Sequence, residues 1–154
     1  MMYFEDLSYY SYESLVPISR IRNVGWLSKK CDFHRGDLPG EVKNKIVRLV
    51  EDSDLREGVV FNQSRGLHFC ELCAKPEMSA DELFFGVASS SAEILIPDVT
   101  RENSYFAAPA LIAHYVSNHE YLPPSEFVNS VLAFRPESQV GAQEIFDRVC
   151  SEST

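Results

Sequence analysis

Two short motifs hold residues able to do metal chemistry. Cys70 and Cys73 form a Cys-x2-Cys pair, and His114 and His119 form a His-x4-His pair. A two-residue gap lets both thiolates of a tight turn converge on one ion at about 2.3 Å, and two imidazoles from a second element complete a tetrahedron. Thiolates with imidazoles select zinc over calcium or magnesium, so Zn2+ is the cofactor these residues imply. Four protein donors leave no open position for water or substrate, and the expected role of the ion is structural.

Forty residues separate Cys73 from His114, whereas a compact DNA-reading finger spans about 12 to 15. A folded domain must bring the two pairs together, at a loop-closure cost that grows only logarithmically. Helix geometry adds a condition. Five residues at about 100° each set the two histidines roughly 140° apart, so both reach one ion only if the helix ends near Asn118. Pro123-Pro124 favours that ending.

Weaker ligand candidates are His68, two residues before Cys70 on an expected strand, and the Cys31-x2-His34 pair in a loop. Cys150 reads as a small apolar residue of the last helix. The alternative chemistry is a zinc-dependent hydrolase with three protein ligands, a bound water, and Glu71 or Glu120 as general base. A dithiol redox role for Cys70 and Cys73 lacks the usual βαβ surroundings. No H-E-x-x-H, G-x-S-x-G, Walker or G-x-G-x-x-G motif is present, and the H-x-E with P-C-x-x-C deaminase pattern is absent too. The carboxylates of Glu71, Glu93, Glu120 and Glu126 otherwise read as solvated surface.

The elements that must position these residues follow from periodicity. Val42, Ile46, Leu49 and Val50 share one face of a helix over 41–52. Segments 58–61 and 66–72 read as short strands, the second running into the cysteine turn, and 92–97 and 105–107 as two more. Pro109 suits a first helical residue, with Leu111, Ile112, Tyr115 and Val116 as the apolar stripe of a helix over 109–118. Helices over 124–133, with Phe127, Val128, Val131 and Leu132 inward, and over 140–149 complete the list. The expected fold is α+β: one compact domain over 1–154 with short antiparallel strands, three to four helices, and a zinc knuckle packed against a helix C-terminus. Residues 2–12, rich in aromatics and acids, read as an extended segment packed on the body, and Trp26 as core.

The chain has 154 residues with 14 Lys plus Arg against 23 Asp plus Glu, a formal charge of −9. Such a surface repels phosphate, so nucleic acid and anionic membranes are disfavoured as partners. It steers a basic protein instead. No segment resembles a membrane helix or signal peptide, which predicts a cytoplasmic protein.

The series Tyr3-Phe4-Glu5-Asp6-Leu7-Ser8, Gly25-Trp26-Leu27, Arg65-Gly66-x-His68-x-Cys70-Glu71-x-Cys73 and Ala92-Glu93-Ile94 resembles a family of small, mainly bacterial proteins of uncharacterised function. Tyr105, Ala107-Ala108-Pro109, Leu111-Ile112, His114-Tyr115-Val116, His119, Tyr121, Pro123-Pro124 and Glu126-Phe127 continue the pattern. The resemblance covers about 3–131 and leaves a C-terminal helical extension at about 135–150. It implies a matched Cys/His set and, because family members carry His where Cys31 stands, a place for Cys31 at or near the site. The functional expectation is a non-catalytic protein-binding domain held by structural zinc, of the kind that neutralises a basic toxin as a bacterial immunity protein. Tyr3, Phe4, Tyr9, Tyr10 and Tyr12 are the expected partner-binding residues.

Overall fold

In a computed structural model, residues 3–11, 16–63, 66–73 and 88–152 are described, so Tyr12 lies outside the described residues. The strands are β1 (Tyr9–Tyr10), β2 (Ile18–Asn23), β3 (Val60–Phe61), β4 (Leu67–Phe69), β5 (Ala88–Ser90), β6 (Glu93–Pro97) and β7 (Tyr105–Pro109). The helices among the described residues are α1 (Gly40–Glu51), α2 (Arg56–Val59), α3 (Ile112–Asn118), α4 (Ser125–Ala133) and α5 (Ala142–Glu152). The α+β expectation holds, with one more helix than expected because α2 is a single turn.

A five-stranded sheet runs β1-β2-β7-β6-β3, and β4 pairs with β5 in a separate ribbon. The sheet is mixed: β2 and β7 run parallel, with Arg22 opposite Phe106, while its other neighbours are antiparallel. Parallel neighbours need a long crossover. Residues 24–104, including α1 and β6, supply it.

Both faces of the sheet are covered, which is why β6 is buried along Glu93-Ile94-Leu95-Ile96. Alternation still sorts its side chains. Ile94 and Ile96, with Phe106 and Ala108 of β7, join Val42, Ile46 and Leu49 of α1, Ile112, Tyr115 and Val116 of α3, and Phe127 and Val131 of α4 in one core cluster. Leu95 and Ala107 face the other way, onto Tyr10, Ile21, Trp26, Phe61 and the α5 residues Ala142, Phe146 and Val149. Each fully buried aliphatic or aromatic side chain contributes roughly 1.5–3 kcal/mol. The C-terminal helix is therefore integral to the second core rather than an appendage.

The opening segment packs as expected over the described residues. Phe4 N–H donates to Trp26 O (3.3 Å), Leu7 N–H donates to Asn23 O (2.7 Å), and the Phe4 ring meets Trp26 edge-on at 5.3 Å. Tyr10 is fully buried, and its hydroxyl donates to the buried carboxylate of Glu93 (3.1 Å), which also accepts from Asn62 Nδ2 (3.0 Å). Glu93 is thus an interior acceptor and not a solvated acid.

Four local expectations are corrected. Pro109 ends β7 opposite Glu93 instead of opening a helix, because β2 pairs only as far as Ala107 and leaves Pro109 on an edge where no N–H is needed. Segment 58–61 is half helical turn and half strand: α2 ends at Val59 and β3 begins at Val60. Leu132 points outward and is 43% exposed, while Phe127 and Val131 fill the inward face of α4. Glu126 is tied into an ion pair with Arg22 (2.9 Å). Among the described residues no helix is long and apolar enough to cross a membrane.

Candidate metal centre

β4 delivers the chain into a 3-10 turn, Glu71–Cys73, where Cys73 N–H donates to Cys70 O (3.3 Å) and closes the knuckle. The second ligand pair comes from the end of α3. His114 lies within the helix and His119 is its C-terminal cap, with φ −122° and ψ 12°. His119 N–H still donates to Tyr115 O (3.0 Å), but Glu120 takes a left-handed conformation at φ 56°, and Tyr121 N–H returns to the same carbonyl (3.3 Å). The helix therefore stops where the 140° separation of the two imidazoles requires it to stop, and both rings swing to the same side.

The four donor atoms of Cys70, Cys73, His114 and His119 lie within 4.8 Å of one another. Cys70 Sγ is 3.4 Å from His119 Nε2, Cys73 Sγ is 3.2 Å from His114 Nε2 and 3.3 Å from His119 Nε2, and the two Nε2 atoms are 3.1 Å apart. A tetrahedral zinc with Zn–S of about 2.3 Å and Zn–N of about 2.05 Å has S···N edges of about 3.5 Å and N···N edges of about 3.3 Å. These four edges lie within a few tenths of an ångström of those values.

Hydrogen bonding does not account for this convergence. A ring nitrogen offers one in-plane direction, either a proton or a lone pair. His119 Nε2 meets Cys70 Sγ, Cys73 Sγ and His114 Nε2 at once. A shared cation on which all four lone pairs point satisfies them together. The group can hold a metal ion, and its donor set is compatible with zinc.

Electrostatics prepare the ligands unequally. Burial, reinforced by the neighbouring Cys73, pushes the Cys70 thiol up to about 11. Burial also lowers His114, helped by His119, and lowers His119, helped by Arg35. Without a cation the imidazoles are neutral and ready to coordinate, whereas Cys70 keeps its proton until an ion displaces it.

A layer of supporting contacts fixes the turn at 119–122. Arg35 Nη1 donates to His119 O (3.3 Å), Gly36 N–H to Glu120 O (3.1 Å), and Leu122 N–H to His34 O (2.9 Å). Below it, the buried Tyr121 donates its hydroxyl to Asp6 Oδ2 (2.8 Å), while Gly25 N–H donates to Asp6 Oδ1 (3.0 Å). Asn118 is the residue that sequence reasoning missed. Its side-chain amide lies 3.0 Å from Nδ1 of His114. Once Nε2 is given to a cation, Nδ1 carries the ring proton, and a half-turn of the amide presents Oδ1 to accept it. The available signal was the i, i+4 spacing from His114 on one helix face.

The structure separates the weaker candidates from this cluster. His68 sits on β4 opposite Ser89 and is not in the group, because the strand ends at Phe69 and its two-residue alternation does not continue into the knuckle. Cys31 and His34 lie in the loop before α1, where Cys31 N–H donates to Ser28 O (3.2 Å). Cys150, partly buried on α5, packs at the edge of the second core. Of the expected partner-binding aromatics, Tyr3 and Tyr9 are 39% and 50% exposed and Phe4 is half-buried; Tyr10 is interior and has no surface to offer.

Sheet, helices and a Cys2His2 cluster define an α+β domain with a knuckle-and-helix site able to hold a metal. The chain belongs to the family described as Domain of unknown function (DUF7919), whose model matches residues 2–132. No curated protein and no solved structure matches the chain.

Proposed function

We propose that this is a non-catalytic protein-binding domain whose fold is stapled by structural zinc, and that it acts in the bacterial cytoplasm as an immunity protein neutralising a basic toxin. The observation that carries the first half is the convergence of four donor atoms within 4.8 Å of one another, four of their six separations lying near tetrahedral edges. Four protein ligands leave the ion no position for a reacting water. The net charge of −9 supports a basic partner through electrostatic steering. The neutralising role rests on that charge and on the small, aromatic-rich domain.

One observation favours a second reading, a zinc-dependent hydrolase. Glu71 Oε2 is buried without a hydrogen-bond partner among the described residues, beside Cys70 in the chain. If a water took the place of one protein ligand, Glu71 beside Cys70 and Glu120 beside His119 would be the adjacent general bases in sequence, and the unpartnered buried oxygen favours Glu71. X-ray absorption of the zinc-loaded chain separates the two readings. Two sulfur and two nitrogen scatterers support the structural site; three protein ligands plus one oxygen, with ester or amide hydrolysis lost in Glu71→Gln, overturn it.

A further inference from the structure

Residues 3–6, together with Leu27 and 32–34 of the following loop, line a half-open cavity of about 320 Å3. Three rings, Tyr3, Phe4 and Phe33, line it together with three carboxylates, Glu5, Asp6 and Asp32. We infer that this cavity receives the guanidinium of an arginine side chain presented by a protein partner. The inference rests on the protein-binding reading above and locates one contact within it.

Four features converge on that occupant. A planar cation stacks on aromatic faces and accepts carboxylates around its edge, so rings and acids in one cavity match both halves of its chemistry. The chain's own Arg35 shows the stacking mode and already occupies one ring, its Cζ standing 4.3 Å from the centroid of Phe33, so Tyr3 and Phe4 are the rings left for an incoming guanidinium. Both oxygens of Asp6 are held by Gly25 N–H and Tyr121 Oη, which fixes a carboxylate in the wall without neutralising it, while Glu5 and Asp32 are exposed at the rim. Finally, His34 is the only basic residue among those lining the cavity, and the volume sits at the low end of the roughly 300–1,000 Å3 of ligand pockets, suited to one side chain.

The test is an NMR titration of the zinc-loaded full chain with Ac-Gly-Arg-Gly-NH2 and with its citrulline isostere, which has the same shape without the charge. The expected result is amide shifts confined to residues 3–6 and 27–34, an affinity for the citrulline peptide at least about tenfold weaker, and a similar loss in 0.5 M salt. The double variant Glu5→Gln/Asp32→Asn, at exposed positions, should bind the arginine peptide about three- to tenfold more weakly with its spectrum otherwise unchanged. Equal response to both peptides, shifts elsewhere, or no shift in a folded zinc-loaded chain would each overturn the inference. The protein-binding reading falls by a different readout, an oxygen ligand with hydrolytic turnover, so the two failures are distinguishable.

Discussion

Tyr121 Oη donates a 2.8 Å hydrogen bond to Asp6 Oδ2, joining the opening segment to the turn that carries His119. Tyr121 is buried and Asp6 partly so, and Asp6 is held above the usual carboxylate range, by burial first, with the bonds from Gly25 and Tyr121 opposing it. Removing the hydroxyl leaves a partly buried carboxylate oxygen unpaired. Tyr121→Phe should therefore destabilise the fold by about 1–3 kcal/mol. Denaturant unfolding at pH 7 checks this. A loss much smaller in Asp6→Asn/Tyr121→Phe than the sum of the singles would show that the bond itself is responsible; additive losses would show that it is not.

Metal loading should be strongly pH-dependent. The Cys70 thiol, near 11 when metal-free, must lose its proton on binding, whereas the depressed histidines are already neutral at pH 7. Apparent zinc affinity should fall by about tenfold per pH unit, going down, for each proton displaced. Competition with a chromophoric chelator between pH 6 and 8 measures that slope. Cys70→Ser and Cys73→Ser should lower Tm and abolish the response of Tm to added zinc; a flat slope with unchanged Tm would remove the structural role.

Asn118 offers a finer test of the site. If its amide oxygen accepts the Nδ1 proton of His114, Asn118→Leu should weaken zinc affinity about 10- to 100-fold, because outer-layer partners fix the ring and its tautomer. Asn118→Asp, which keeps an acceptor, should retain most of it. Similar affinity in all three chains would assign the contact to helix structure alone.

The sequence exposed what local rules govern. The apolar stripe of Leu111, Ile112, Tyr115 and Val116 is buried as its spacing requires, and the Cys-x2-Cys and His-x4-His pairs carry the ligand geometry in their own intervals. What it hid depends on the other face or the far end of the chain. Tyr10 looks like a surface aromatic until α5 covers it with Phe146 at a centroid distance of 5.4 Å. Pro109 obeys helix-start statistics, yet its partner Glu93 holds it in the sheet. The ion pairs of Arg22 with Asp98 and Glu126 join positions 76 and 104 residues apart, and no local pattern announces them.

That last cluster contributes to the acid limb of stability. Burial alone would raise the carboxyl of Asp98, but the Thr100 hydroxyl and the Arg22 guanidinium outweigh it and hold it below its usual range. Arg22 Nη2 stands 2.7 Å from Asp98 and 2.9 Å from Glu126, with its Cζ 5.0 Å from the centroid of Phe106. A carboxyl depressed in the folded state adds stability above its unfolded value of about 3.9, and that stability is lost as pH falls through the lower folded value. Asp98→Asn should thus be less stable than the parent at pH 7, and the difference should shrink as pH falls below about 4. Urea unfolding at pH 7, 5 and 3 follows the difference directly. A gap that stays constant across those three values would mean that Asp98 acts through packing and its Thr100 turn, with its charge contributing nothing.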